Sequence, residues 1–267
     1  MSATGVERIA AAFAGSGKQA ALMPYLMGGF PDVEASLAIG EACVRAGADL
    51  IELGIPFSDP LADGPVIHAA ATRALAAGTT VEDVLGVASA LSAQVPVIVM
   101  VYANTVLRSG GDVFITRLAQ AGVSGLIVPD LPFEEAAAVA LAAEQAGLAL
   151  IALVAPTTPD ERLREIGTRA RGFIYVVSVT GTTGERGAQA MAAGPLIARA
   201  KANTAVPVAL GFGISTPDQA AAAAAAGADG VIIGSRLVRA AGESDDAASE
   251  VGRLVGEFAA ALARPVA

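Results

Sequence analysis

The chain has 267 residues, 54% of them hydrophobic, with a net charge of −9, no Trp and one Cys. The acidic balance excludes general affinity for nucleic acid or anionic membrane, and the lone Cys43 excludes an intrachain disulfide. No apolar run reaches the ~18 residues of a membrane span and no basic-then-apolar leader opens the sequence, so a cytoplasmic protein is expected.

In chain order, residues 5–16 read as an extra N-terminal helix closing the base of the fold. Residues 20–27 are the first apolar strand, and Asp32 caps the helix after it. Cys43 lies on that helix and reads as a packed thiol. Gly47 then precedes the strand at 50–53, and Thr80 is a further helix cap. Val95 and Val206 each open a strand with Val-Pro-Val. Gly122, Gly147 and Gly172, spaced by 25 residues, precede strands at 126–128, 150–154 and 173–177, and Gly227 precedes one at 231–233. Glycine suits the position just past a helix because it tolerates positive φ. Thr158-Pro159-Asp160-Glu161 and Thr216-Pro217-Asp218-Gln219 read as capped helix starts with Pro in the first turn.

The strands are continuous apolar runs, as expected of parallel strands buried on both faces. Eight such strands, each followed by helical sequence, predict an α/β protein: one (β/α)8 barrel (TIM barrel) over residues 1–267. An open doubly wound sheet is the alternative.

Barrel enzymes carry their functional groups on the loops after the strands. Three of those loops are glycine-rich: residues 178–187, 211–215 and 234–236. Gly234 and Ser235 open a helix, where unpaired N–H groups and the helix dipole favour an anion such as phosphate. The same glycines also suit plain tight turns. The loop at 178–187 is a lid candidate.

Glu52 stands inside an apolar strand, where a charge is costly unless paired or functional. Asp63 follows eleven residues on, in a Pro- and Gly-rich loop. Burial raises a carboxyl pKa, and two carboxyls with separated pKa values suit acid–base bond cleavage. A hydrogen-bonded structural glutamate is the other reading. Tyr175 is either a core tyrosine or a neighbour of the same cavity. His68, the only histidine, reads as helix surface or packing.

The run Glu52-Leu53-Gly54-Ile55-Pro56-Phe57-Ser58-Asp59-Pro60-Leu61-Ala62-Asp63-Gly64-Pro65 resembles the signature of the tryptophan synthase α-subunit family. Residues 24–32, Met100-Val101-Tyr102-Ala103-Asn104 and Val128-Pro129-Asp130-Leu131-Pro132 are similar to other segments of it. The resemblance implies a lyase that splits indole-3-glycerol phosphate into indole and glyceraldehyde 3-phosphate. Within it, Glu52 shuttles the proton between indole C3 and the glycerol hydroxyl. Asp63 holds the indole N–H, stabilises the cationic intermediate and then accepts its proton. Tyr175 sits near Glu52. The indole pocket is Leu22, Met100, Tyr102, Ile127, Leu153, Phe212 and Ile232. The phosphate site is Gly184, Gly213, Gly234 and Ser235, and Thr183 is the lid residue that meets Asp63. Asp59 and Pro60 face a β subunit that carries pyridoxal phosphate in an α2β2 complex, and this chain itself holds neither metal nor cofactor. Val179 departs from the polar residue some members carry in the lid. A stand-alone indole-releasing lyase, another phosphate-binding barrel isomerase and a non-catalytic subunit are the rival readings.

Overall fold

The computed structural model describes residues 3–108, 110–177, 193–211 and 213–264. α1 (Gly5–Gly15) leads into β1 (Ala21–Met27), α2 (Val33–Arg45), β2 (Ile51–Gly54), α3 (Pro65–Ala76) and α4 (Val81–Ser92). Next come β3 (Val97–Met100), α5 (Ala103–Arg108), α6 (Gly111–Gln120), β4 (Gly125–Ile127) and α7 (Ala137–Gln145). β5 (Ala149–Leu150), β6 (Ala152–Val154), α8 (Asp160–Arg169), β7 (Ile174–Val177) and α9 (Gly194–Lys201) follow. The last elements are β8 (Val208–Gly211), α10 (Pro217–Ala225), β9 (Gly230–Ile233), α11 (Ser235–Glu243) and α12 (Ala247–Ala261).

All strand pairs are parallel, in the order β5-β4-β3-β2-β1-β9-β8-β7-β6. β5 and β6 are two halves of one predicted strand, parted at Ile151, so eight expected strands become nine segments among the described residues. The order therefore returns on itself and makes the expected (β/α)8 barrel. Every residue of β1, β2, β8 and β9 is buried, as continuous apolar runs require.

Helix starts set the register of the layer outside. Asp32, Thr80 and Thr216 each accept a bond from a first-turn N–H, the last two in full capping boxes. Thr158 departs from the expectation. Its hydroxyl accepts from Ala155 N–H at 3.0 Å, so it closes a turn and leaves Pro159 at the cap position of α8.

α1 plugs the barrel base, as its position predicts. Gly125 and Gly230 leave room for it: a methyl on Gly230 would stand 2.8 Å from the Phe13 ring, and one on Gly125 3.4 Å from Ile9 Cδ1. Arg8 ties the helix to the rim below by donating to the carbonyls of Gly122 (3.0 Å), Val95 (3.2 Å) and Ser92. Ile9 is fully buried. Ile9→Ala is expected to cost about 2–5 kcal/mol, read as a lower urea midpoint, while turnover per folded molecule is kept.

Cys43 is buried, and burial pushes its thiol up to about 12, so it stays a packed, unreactive thiol at neutral pH. Among the described residues no single helix is long and apolar enough to cross a membrane.

Candidate active site

Strand register sorts the candidates by face. In a parallel sheet, residues in register share a face and successive residues alternate. Tyr25, Glu52 and Ile98 are in register, as are Gly54, Met100 and Ile127. Leu153, Tyr175, Ala209, Gly230 and Ala21 form another row, and Met23 is level with Ile232. Glu52, Met100, Ile127, Leu153, Tyr175 and Ile232 therefore share the face that Ile9 and Phe13 plug from below. Leu22 does not. It pairs with Val231 and alternates with Met23, so it points to the helix layer, and its carbonyl accepts from Asp49 and Leu50 near the base. Tyr25, which the sequence reading did not single out, stands level with Glu52 in its place.

Glu52 is 1% exposed, and neither carboxyl oxygen has a hydrogen-bond partner among the described residues. Burial, with a smaller push from the charge of Asp63, raises its pKa to about 8. Two phenols flank it. Each lies over a glycine at a strand end: a methyl on Gly54 would stand 2.3 Å from the Tyr25 hydroxyl oxygen, and one on Gly211 2.2 Å from that of Tyr175. Only glycine at those ends lets both rings lie in the barrel mouth. Burial first, then the nearby carboxylates, keeps both phenols well above their ordinary range.

Asp63 is half-buried on the loop between β2 and α3. Burial raises its pKa, against a hydrogen bond from the Tyr102 hydroxyl and the charge of His68. The Tyr102 oxygen also accepts from Ala62 N–H at 3.1 Å, and its ring stacks on Phe57 at 5.1 Å and 21°. Tyr102 thus fastens the carboxylate loop to the strand β3 end, a role beyond the pocket wall that the resemblance assigns it. Asp130 accepts from Ala103 N–H at 2.8 Å and fixes the backbone just past Tyr102. His68 is exposed on α3, as expected, but lies close enough to Asp63 to act on it. Asp59 is exposed and Pro60 half-buried on the same loop, beside Leu61 at 88% exposure.

Gly234 and Ser235 open α11 as predicted. The N–H groups of Leu237 and Val238 donate to Gly234 O at 2.9 and 3.1 Å, which leaves those of Ser235 and Arg236 in the first turn without an intrahelical acceptor. Gly213, after β8, has φ +80°, a conformation that L side chains rarely adopt. Val179, Thr183, Gly184 and Phe212 lie outside the described residues. Among the described residues no cluster of three or more His, Cys, Asp or Glu is placed to hold a metal ion.

Proton transfer on a small molecule held in the mouth of a (β/α)8 barrel is the class of activity this geometry serves: a buried carboxyl inside, a second carboxyl on the adjoining loop, and a helix start after β9, on the other side of β1 from Glu52. The family model described as the tryptophan synthase alpha chain matches residues 12–263. The tryptophan synthase alpha chain of Synechococcus sp. (strain CC9902) is 50% identical over 89% of this chain and 90% of its own length. That of Methanosarcina acetivorans is 51% identical over 83% and 81%. Among solved structures, tryptophan synthase from M. tuberculosis in an open form superposes with a TM-score of 0.87 at 40% identity, covering 98% of this chain and 99% of that one. The tryptophan synthase a2b2 complex of Pyrococcus furiosus contributes a chain with a TM-score of 0.85 at 37% identity, covering 90% and 98%. The chain belongs to the tryptophan synthase alpha chain family, a family of lyases.

Proposed function

We propose that this chain cleaves indole-3-glycerol phosphate to indole and glyceraldehyde 3-phosphate, with Glu52 and Asp63 as its acid–base pair. The observation that carries the reading is the Glu52 carboxyl, buried without a hydrogen-bond partner among the described residues and raised to a pKa of about 8, so that it keeps its proton near neutral pH. A carboxylic acid in that state delivers a proton to ring C3. The resulting carboxylate takes the proton from the hydroxyl on the carbon attached to C3. The O–H electron pair becomes the carbonyl bond, the C–C bond breaks, and its electrons return to the ring, so Glu52 ends as it began. Asp63 balances the positive charge on the ring N–H while C3 is protonated. Met100, Ile127, Leu153 and Ile232 supply the apolar wall, and the first turn of α11 takes the phosphate.

No step calls on a cofactor in this chain; pyridoxal phosphate belongs, in this reading, to a β subunit. The exposed loop of Asp59, Pro60 and Leu61 is offered as a face for that subunit in an α2β2 complex. The whole chain, residues 1–267, acts as one cytoplasmic barrel domain. Indole release from indole-3-glycerol phosphate, measured with and without an added β subunit, tests the proposal. Release that rises with the β subunit supports the complex, and high turnover without it favours a stand-alone lyase. No indole under either condition would overturn the activity.

A further inference from the structure

The geometry points to Tyr25 as a further catalytic residue, whose hydroxyl donates a hydrogen bond to the substrate oxygen that becomes the aldehyde. This inference rests on the cleavage reading above and adds to it a group that acts on oxygen.

Three observations on Tyr25 converge. It is level with Glu52 across the β1–β2 pair and shares its interior face. Its ring spans the two ends of the site. A methyl on Gly234 would stand 3.6 Å from Cβ and Cδ1 of Tyr25, whereas the hydroxyl tip lies over Gly54, two residues past Glu52 on the same strand. The tyrosine therefore reaches from the helix start assigned to phosphate to the strand that carries the acid. A three-carbon chain joining a phosphate to a ring at Glu52 must run alongside it. Finally, the residue is only 6% exposed, and no hydrogen bond to its hydroxyl is made among the described residues, yet that oxygen is not sealed in as the carboxyl oxygens of Glu52 are. The hydroxyl therefore opens on the barrel mouth, where a ligand can meet it.

The chemistry needs a donor there. As Glu52 takes the hydroxyl proton, negative charge grows on the oxygen until the carbonyl forms. A fixed O–H donor in a dry site stabilises that charge. Tyr25 keeps its own proton throughout, because burial and the charges of Asp63 and Glu52 hold the phenol well above its ordinary range. In the reverse direction the same bond polarises the aldehyde for attack by indole.

Tyr25→Phe removes the oxygen and keeps the ring. The expected result is a ~10²–10³-fold fall in kcat for cleavage by the full chain, on the scale of one lost transition-state donor. The dissociation constant of indole-3-propanol phosphate, which has the ring and phosphate but neither chain hydroxyl, is expected to stay within about twofold of wild type. Turnover within threefold of wild type would overturn the inference. A parallel loss of affinity for the hydroxyl-free analogue would also overturn it, by showing that the oxygen only supports packing. If wild type itself releases no indole, the cleavage reading fails instead, a result independent of how Tyr25→Phe compares.

Discussion

Glu52→Gln is expected to abolish indole release while leaving binding of a phosphate ligand intact. Glutamine keeps the volume and planarity of the side chain but has no transferable acidic proton. In the proposed cycle one carboxyl gives a proton to carbon and takes one from oxygen, so its loss stops both halves. General acid–base catalysis alone is worth ~10²–10⁴-fold, and a group used twice is expected to lie at or beyond the upper end. The phosphate end proposed above is the backbone of the first turn of α11, and the substitution does not touch it. The check is a single-turnover indole assay beside calorimetric titration with indole-3-propanol phosphate. Turnover within tenfold of wild type would remove Glu52 from the shuttle.

The same substitution carries a stability signature of determined sign. An unfolded glutamate loses its proton near pH 4.5, whereas Glu52 in the folded barrel holds it to about 8. Between those values the folded state binds a proton that the unfolded state does not, so stability falls as pH rises through that window. Glutamine has no such dependence. With ~1.4 kcal/mol for each tenfold change in proton affinity, the variant is expected to gain ~4 kcal/mol on wild type between pH 5 and pH 9. Urea midpoints of the two proteins at both pH values read the difference. A gap that does not widen with pH would mean that Glu52 is ionised in the folded state.

Glu52 was legible in the sequence because a charge in an apolar strand has few innocent explanations. The barrel was legible for a related reason: strands buried on both faces leave continuous apolar runs, and helix ends leave glycines such as Gly122, Gly147 and Gly172. Tyr25 was not legible. A tyrosine in an apolar run is equally at home in a core, and only its register with Glu52 and the glycines beneath it distinguish the two. Leu22 went astray for a matter of parity. A matched segment shows that a strand is shared, but which of its residues face inward is fixed by pairing with neighbours far away in sequence. Thr158 slipped for a local reason, since its hydroxyl had a nearer amide in Ala155 than the first turn of the helix. The break at Ile151 left no sign, because one stave of the barrel and two halves of it share the same apolar pattern. Tyr102 was placed in the apolar wall by the family resemblance, but its hydroxyl reaches a loop about forty residues away, a contact that exists only after the chain has folded.

Asp63→Asn is expected to lower kcat/KM by ~10²–10⁴-fold and to shift the alkaline limb of its pH profile downwards. The loss follows from charge: an amide does not neutralise the cationic ring formed when C3 is protonated. The shift follows from the coupling of the two carboxyls. The free enzyme needs Glu52 protonated and Asp63 ionised, so wild-type kcat/KM is expected to be bell-shaped, falling on the alkaline side near pH 8 as Glu52 loses its proton. The charge of Asp63 is one of the two causes that hold Glu52 there, the smaller beside burial. Asparagine removes that cause and leaves burial, so Glu52 should ionise at lower pH and the alkaline limb should move the same way. The acid limb, set by ionisation of Asp63, should vanish. Tyr102 still has Ala62 N–H to accept and an amide oxygen to donate to, so the loop keeps its anchor and stability should change little. Profiles of kcat/KM for the two proteins, with urea midpoints at neutral pH, separate these effects. An alkaline limb that stayed fixed would mean that the two carboxyls do not sense each other across the barrel mouth.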